Sequence, residues 1–185
     1  VDTTDPANVA AAITPATKLV WIESPGNPLM SITDIAACAE VAHQRGALLA
    51  VDSTFATPVL TRPLELGADI VMHSATKYLG GHSDMVGGAL VVRDRELFDR
   101  LYFIQNATGA IMSAFDAFLC SRGVKTLELR VREQSRTAMQ LAKWLAQHPS
   151  VRRVLYSGLS NHPGHATAAR QMDGAFGAML TFELA

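Results

Sequence analysis

One lysine of the sequence, Lys77, stands in a setting that an ordinary surface lysine does not need. It lies in the stretch HSATKYLGGHSDMVGG, with Ser74 and Thr76 just before it and paired glycines after it. The stretch lacks the order of glycines and lysine that defines a phosphate-binding P-loop. An amine in a glycine-rich turn after a buried strand can instead attack a carbonyl compound, because partial burial favours its uncharged form. Lys77 is therefore the first candidate for a reactive group.

Two further polar residues follow predicted strands. Asp52 ends the apolar run ALLAVD, and Asn27 stands in the PGNP loop after the run KLVWIES. The carboxyl ends of parallel strands meet at one edge of a sheet, where ligands bind. An aldehyde-binding lysine, a carboxylate for a ring nitrogen and hydroxyl donors for a phosphate are what pyridoxal phosphate requires. The residues alone leave other interpretations open, since Asp52 and Asn27 also suit turns and Lys77 suits an exposed surface.

The segments around these residues predict an α/β fold, with a mostly parallel sheet and helices on both faces. Four short apolar runs, KLVWIES, ALLAVDS, DIVMHS and GALVVR, are typical of buried strands. The stretch SITDIAACAEVAHQRG has the apolar spacing of a helix, with Ser31 and Asp34 as a capping box and Gly46 as its stop. Two more helices are predicted over residues 94–107 and 114–147.

The character of the chain changes near residue 148. The stretch HPSVRRVLYSGL indicates the end of a helix followed by a new strand, and the sequence ends within the strand-like FGAMLTFELA. We predict that residues 1–148 form the central part of a large cofactor-binding domain and that residues 149–185 begin a small α+β domain. Because the sequence starts without methionine and ends within a strand, we also expect it to be part of a longer polypeptide.

Composition restricts the classes of function. The chain has 185 residues, is 49% hydrophobic and carries a formal net charge of −1, so nothing favours nucleic acid or an anionic membrane as a partner. No apolar run is long enough to span a bilayer. Cys38 and Cys120 are far apart in helical segments, and we expect both to be reduced and buried, which favours a cytoplasmic protein. His162 and His165 could suggest a metal, but no carboxylate or cysteine is close to them in the sequence.

The run DIVMHSATKYLGGHS resembles the cofactor-attachment signature of the Cys/Met-metabolism (trans-sulfuration) enzymes, which depend on pyridoxal phosphate. The stretches ESPGNPLM, VDSTFATP, RPLELGAD and HSDMVGGALV are similar to the neighbouring blocks of that family, in the same order. The resemblance covers essentially the whole chain. It implies the fold type I architecture of PLP-dependent transferases, which is aspartate-aminotransferase-like. The stretch FIQNATGAIMSAFDAFLCSRGVKTL is most similar to the branch of cystathionine γ-synthase and γ-lyase.

The resemblance also implies a role for each candidate residue. Lys77 would carry pyridoxal 5′-phosphate covalently and would then move protons of the substrate. Asp52 would pair with the pyridine nitrogen, Ser74 and Thr76 would bind the phosphate, and Asn27 would contact the phenolic oxygen. The implied activity is γ-elimination or γ-replacement on sulfur amino acids or activated homoserine esters. The implied assembly is a homodimer or homotetramer with active sites shared between subunits.

Alternatives remain within and outside this activity. O-succinylhomoserine or O-acetylhomoserine sulfhydrylase and methionine γ-lyase use the same core. The family often has asparagine where this chain has Ser53. Other family residues, namely a stacking tyrosine, a phosphate loop and an arginine for the substrate carboxylate, are expected outside this sequence. An inactive, truncated homologue that serves as an assembly module without the cofactor is therefore a second alternative.

Overall fold

The computed structural model describes residues 1–185 and confirms the predicted α/β class. One sheet contains four strands in the spatial order of the chain, namely β1 (Leu19–Glu23), β2 (Leu48–Asp52), β3 (Ile70–Ser74) and β4 (Gly88–Val92). The first three strands are parallel, and β4 pairs with β3 in the antiparallel direction. All four strands match the apolar runs of the sequence. Strands β2 and β3 are largely buried, as apolar runs in a parallel sheet predict, whereas the antiparallel β4 is mostly exposed.

Seven α-helices and two short turns accompany the strands, and the first helix precedes the first strand. The helices are α1 (Pro6–Ala12), α2 (Ile35–Gln44), α3 (Thr57–Leu60), α4 (Arg95–Thr108), α5 (Ala114–Val124), α6 (Leu127–Leu145) and α7 (His165–Gln171). A 3₁₀ turn spans Pro63–Leu66, and a single π-helical turn spans Ala75–Leu79. None of the helices is both long and apolar enough to cross a lipid bilayer.

Helix α2 begins and ends where its sequence specifies. The Asp34 carboxylate, and not the Ser31 hydroxyl, caps it by accepting a hydrogen bond of 3.1 Å from the Ala37 N–H. Gly46, with φ of +70°, ends it in the left-handed conformation that favours glycine. The inward side of α2 packs on one face of the sheet, in a core of 12 buried residues that includes Leu49 and Val51. The chain itself therefore covers β1, β2 and β3 on this face, whereas Val91 of β4, which pairs with Val71, is 44% exposed.

The opposite face of the sheet is more open. Successive strand residues point to opposite faces. Leu19 and Trp21 of β1 alternate with residues of the α2-covered core and are 43% and 50% exposed. Leu90 of β4, which pairs with Met72 on the same face, is 51% exposed. Helix coverage of this second face is therefore only partial within these 185 residues.

The single helix predicted over residues 114–147 is wrong, because α5 and α6 are separate. The chain leaves helical geometry at Thr126, where φ is −112° and ψ is 7°. The end of α5 lies so close to the π-helical turn that a Cβ added to Gly123 would be 2.1 Å from the Gly80 carbonyl oxygen. Tertiary contact thus fixes the end of α5, and α6 begins after two intervening residues. Gly123 is only a weak local signal for this break, because an isolated glycine is tolerated within a helix.

The last part of the chain forms a small second sheet. Strands β5 (Val151–Leu155) and β6 (Thr181–Leu184) are antiparallel, and β5 confirms the strand predicted after HPS. The end of α7 contacts the main domain through Gln171, whose side chain accepts from the Ile35 N–H at 3.3 Å and donates to the Thr33 carbonyl at 3.0 Å. The domain boundary near residue 148 stays a prediction.

Candidate cofactor site

The five predicted site residues all lie at or just beyond the carboxyl ends of β1, β2 and β3. Asp52 and Ser74 are the last residues of β2 and β3, and Asn27 lies in the loop after β1. Thr76 and Lys77 belong to the π-helical turn. A cavity of about 930 Å³ opens here, and its wall includes Asn27, Thr76 and Lys77, together with Phe55, Arg130, Gln134 and Met179. Asp52 and Ser74 lie at the neighbouring strand ends, outside the cavity wall.

Lys77 occupies an unusual backbone position. Its φ of −92° and ψ of −113° lie outside the helical region, although the residues around it form a helical turn. The Gly80 N–H donates to the Ala75 carbonyl and the Gly81 N–H donates to the Lys77 carbonyl, each at 2.8 Å. Isolated π-turns and sparsely populated backbone conformations occur often at functional sites. The turn directs attention to Lys77 independently of its sequence context.

The lysine side chain itself is exposed, which corrects the expectation of partial burial. Ala75, two residues earlier, is fully buried, so the turn is anchored at its start and open at Lys77. The cavity wall around Lys77 also includes exposed residues, among them Ser83 and Asp84. The sequence could not show this, because the width of the cavity depends on segments far from Lys77.

The carboxylate of Asp52 is held by Thr54, a residue that the sequence reasoning missed. Asp52 Oδ1 accepts hydrogen bonds from the Thr54 N–H at 3.0 Å and from the Thr54 hydroxyl at 2.6 Å. The same hydroxyl oxygen accepts from the Ser74 N–H at 2.8 Å, so Thr54 links the ends of β2 and β3. Asp52 Oδ2 has no hydrogen-bond partner in the chain. An aspartate that bonds to the backbone two residues on is a known turn signal, and D-x-T after a strand could have predicted Thr54.

The two hydroxyl residues predicted for the phosphate differ in their bonding. The Thr76 hydroxyl accepts from the Gly87 N–H at 3.0 Å and donates to the Gly87 carbonyl at 3.3 Å. It therefore closes the loop between β3 and β4. The Ser74 hydroxyl has no hydrogen-bond partner in the chain and is free to donate to a ligand. Of the two, Ser74 needs no rearrangement to serve a phosphate.

Two carboxylates meet at the ends of β1 and β2. Glu23 and Asp52 are neighbours in the strand register. Burial is the main cause that raises the pKa of Glu23; a hydrogen bond from the Asn27 N–H opposes this shift, and the charge of Asp52 adds a smaller increase. Two adjacent carboxylates make this edge favourable for a cation and unfavourable for a second anion. A protonated ring nitrogen is a cation of the kind that this edge would stabilise.

His73, beside this edge, is not a candidate for proton transfer. It is buried on the α2-covered side of the sheet, and burial is the main cause that lowers its pKa, against smaller opposing effects of Asp52 and the Ser53 carbonyl. The ring is therefore neutral at pH 7. Its Nδ1 atom is buried and has no hydrogen-bond partner in the chain.

The residues at the strand ends fit pyridoxal phosphate in their chemistry. The set has an exposed amine on Lys77, a carboxylate oxygen of Asp52 without a partner, a free hydroxyl on Ser74 and an exposed amide on Asn27. These are the nucleophile, the counter-ion and the neutral donors that this cofactor needs. The fold and the site together define the class of the protein. It is an α/β domain of the PLP-binding class, whose candidate lysine lies just beyond the carboxyl ends of the strands.

The chain belongs to the Cys/Met metabolism family of PLP-dependent enzymes, whose family model matches residues 1–185. This confirms the family that the sequence motifs predicted. The chain spans about half the length of the curated relatives that it matches.

Three known proteins illustrate the similarity. The chain is 56% identical over 176 residues to a cystathionine γ-synthase of Mycobacterium tuberculosis, covering 95% of this chain and 45% of that protein. It is 51% identical over 185 residues to a cystathionine β-lyase of Coxiella burnetii, covering 100% and 48%. The solved structure of a cystathionine γ-lyase from Lactobacillus plantarum, complexed with L-serine, superposes with a TM-score of 0.98 at 45% identity, covering 100% of this chain and 48% of that one. The last comparison confirms the fold.

Proposed function

We propose that this protein catalyses PLP-dependent γ-elimination or γ-replacement on sulfur amino acids or activated homoserine esters, as cystathionine γ-synthase or γ-lyase does. One observation carries the proposal. Lys77 and Asn27 open into one cavity beside Asp52, whose carboxylate is oriented by Thr54 and has one oxygen without a partner. The relatives named cystathionine γ-synthase and γ-lyase support this choice of reaction.

Each site residue then has a defined task. When bound, pyridoxal phosphate supplies an electron sink that stabilises negative charge on a substrate carbon. The free oxygen of Asp52 keeps the ring nitrogen protonated, and the Asn27 amide donates to the phenolic oxygen. The Ser74 hydroxyl donates to the phosphate, and the Thr76 hydroxyl joins it by turning its proton away from Gly87. The Lys77 amine holds the cofactor covalently and, once released, takes a proton from the α-carbon of the substrate.

The core of the site does not distinguish the reactions of its relatives. Sulfhydrylase and methionine γ-lyase activities are alternatives that use the same residues, and one similar protein is named a cystathionine β-lyase. These reactions differ in which bond to sulfur or oxygen is broken and in what replaces it. An assembly module without the cofactor is the non-catalytic alternative, and it would leave Lys77 unmodified.

We also propose that the active form is a homodimer or homotetramer. Helix α4 has no buried residue. Side chains of α4, of α5 and of the segment between them form an exposed apolar surface, here called the α4–α5 surface. It consists of Phe98, Tyr102, Phe103, Ile104, Ile111, Phe115 and Phe118. An apolar patch of this kind marks an interaction site. Met112, between the two helices, reaches Gly87 at the loop of the site, so a second copy on this surface would lie next to the cavity.

The assembly can be tested by comparing two exposed positions. Phe103→Asp, within the α4–α5 surface, is expected to lower the molar mass in solution, because it places a charge in the contact. Leu129→Asp, at a residue of α6 outside that surface and equally exposed, should leave the mass unchanged. Light scattering with size-exclusion chromatography measures both. Equal masses for the two variants and the unaltered protein would contradict this choice of contact surface.

The cofactor assignment is tested by reductive trapping. Incubation with pyridoxal phosphate, reduction with borohydride and peptide mapping should place the label on Lys77 and not on the exposed Lys125. The matched variant Lys77→Ala should lose the label and its visible absorbance. The unreduced protein with bound pyridoxal phosphate is then assayed with O-succinylhomoserine plus cysteine, with cystathionine and with methionine. The substrate that is converted distinguishes the candidate reactions. A protein that acquires no label on Lys77 would exclude the proposed function and favour the assembly module.

The cellular setting follows the same proposal. Both cysteines are free, and Cys38 is buried, as a reducing compartment allows. We propose a cytoplasmic location. Cys120 is only partly buried, which corrects the expectation that both thiols lie in the core.

A further inference from the structure

One arginine outside the predicted site holds the turn that carries Lys77. Arg130 lies in the first turn of α6, and its guanidinium group donates three hydrogen bonds. Nη1 donates to the Tyr78 carbonyl at 3.0 Å, and Nη2 donates to the Gly123 carbonyl at 2.9 Å. Nε donates to the Thr126 hydroxyl at 3.0 Å. Arg130 thereby joins the π-helical turn, the end of α5 and the break between α5 and α6.

Two glycines let these segments approach each other. Gly81 has a φ of +75°, and a Cβ added to it would lie 2.3 Å from Arg130 Nη1. The guanidinium group therefore packs directly on the backbone of the turn. Gly123 makes the matching approach from α5 to the Gly80 carbonyl. A side chain at either glycine would displace the arginine or the turn.

The charge of Arg130 is directed at backbone carbonyls. Arg130 forms no ion pair, since no carboxylate oxygen lies within 4.0 Å of its nitrogens. Hydrogen bonds from a charged donor are stronger than neutral ones, and the carbonyls at the end of α5 carry the negative end of the helix dipole. Nε, Nη1 and Nη2 each have a partner within the chain. The group is thus engaged in holding the backbone, although it also lines the cavity.

We propose that Arg130 is a positioning residue for Lys77, and this inference rests on the proposed function. Tyr78 directly follows Lys77, and the Gly81 N–H bonds to the Lys77 carbonyl. By fixing the Tyr78 carbonyl and packing on Gly81, Arg130 holds the turn on both sides of Lys77. It keeps Lys77 in its non-helical conformation and the amine directed into the cavity. Without the guanidinium group, the turn relaxes towards ordinary helical geometry and the amine moves.

Three variants separate positioning from general stability. Arg130→Met keeps the length of the side chain and removes its donors and charge. Arg130→Lys keeps the charge and loses the planar fork, so it should restore the function only in part. Arg132→Met is the control, because Arg132 lies on the same helix and bonds to Asp173 away from the turn. All three are made in the protein as it is naturally produced.

The first measurement is hydrogen exchange of the Gly80 and Gly81 amides in the protein without cofactor. Loss of charged hydrogen bonds should make these amides exchange at least about tenfold faster in Arg130→Met, and Arg132→Met should leave them unchanged. Unchanged exchange in Arg130→Met, with or without a lower melting temperature, overturns the proposal. This measurement does not depend on cofactor binding, so it decides the role of Arg130 in holding the turn even if the proposed function fails.

The second measurement follows pyridoxal phosphate on Lys77 in the same proteins. Arg130→Met should slow the borohydride-trapped labelling of Lys77 and shift the pH at which the visible absorbance of the bound cofactor changes, with Arg130→Lys intermediate. Arg132→Met should match the unaltered protein in both. Faster exchange at Gly80 and Gly81 without any change in labelling or absorbance overturns the proposal, because Arg130 would then hold the turn without positioning Lys77. No labelling of the unaltered protein contradicts the proposed function instead.

Discussion

Helices α2 and α4 are both amphipathic, but they differ in what covers them. Four residues of α2, namely Ile35, Cys38, Ala39 and Ala42, are buried against the chain's own sheet. Helix α4 is longer and buries none, and its Phe103 is 70% exposed. The apolar side of α2 is thus covered by its own chain, whereas the α4–α5 surface is not. Sequence periodicity predicts that a helix has an apolar face, and only the structure shows whether the same chain covers it.

The largest expected effect tests this difference directly. Leu49→Ala, in the core under α2, should lower the free energy of unfolding by about 3 kcal/mol, because a fully buried leucine leaves a cavity. Phe103→Ala on α4 should change it by less than about 0.5 kcal/mol in a dilute sample. Urea unfolding at two protein concentrations measures both. A large cost of Phe103→Ala in the dilute sample would show that α4 is covered by its own chain after all.

A smaller loss of unfolding free energy is expected from a substitution at the strand ends, where side chains form hydrogen bonds and not apolar contacts. Thr54→Val removes the donor to Asp52 and the acceptor of the Ser74 N–H, so it should cost about 1–3 kcal/mol of unfolding free energy and weaken cofactor binding. Thr54→Ser keeps the hydroxyl and serves as the control. Equal behaviour of the two variants in urea unfolding and cofactor titration would mean that the hydroxyl does not orient Asp52.

His73, on the buried side of β3, should make the free energy of unfolding depend on pH. Burial lowers the pKa of His73, so as the pH falls below the ordinary histidine value the unfolded chain binds a proton that the folded chain does not. Stability should therefore decline between pH 7 and pH 5. His73→Gln carries no titrating group at this position and should lose less over the same interval. If the urea midpoints of both proteins decline equally, His73 is not responsible.

The smallest expected effect concerns the reactivity of the two thiols, Cys38 and Cys120, and involves no change in the free energy of unfolding. Burial raises the pKa of Cys38 to about 11, from an ordinary value of 9.0. The thiolate is the reactive form, so at pH 8 Cys38 should react with iodoacetamide roughly 100-fold more slowly than a thiol of ordinary pKa. Cys120 on α5 is partly exposed and should be alkylated first. Mass spectrometry of a time course measures the order, and simultaneous labelling would indicate that α2 opens readily.

Much of the fold could be predicted because its signals are local. The apolar strand runs and the stop at Gly46 each depend on neighbouring residues, and the structure confirms them. The resemblance around Lys77 supplied the family. The break between α5 and α6 and the contacts of Arg130 could not be predicted in this way. Arg130 and Tyr78 are 52 positions apart, and no periodicity of the sequence records such a contact.

Prediction of the candidate site from sequence is limited in the same way, even for residues close together in the chain. Thr54 lies only two positions from Asp52, yet its second bond, to the Ser74 N–H, spans 20 positions. A turn motif could have suggested the first bond and not the second. The exposure of Lys77 also depends on the cavity wall, to which α6 contributes Gln134 from far along the chain. Residue types at the site were therefore predictable, and their surroundings were not.

The bonds between Thr76 and Gly87 divide the connection from β3 to β4 into a fixed base and a free rim. The free part of the rim consists of Ser83, Asp84 and Val86, which are exposed and form no hydrogen bond within the chain. His82 bonds to the Gly80 carbonyl at 2.8 Å, and Met85 is buried, so these two residues belong to the fixed part. Because the entropy of closing a loop grows slowly with its length, residues can be inserted or exchanged in this rim at small cost. Such changes would reshape the mouth of the cavity while Lys77 stays where it is. Under the proposed function, reactivity and selectivity would therefore depend on adjoining but separable stretches, and the second could diverge without disturbing the first.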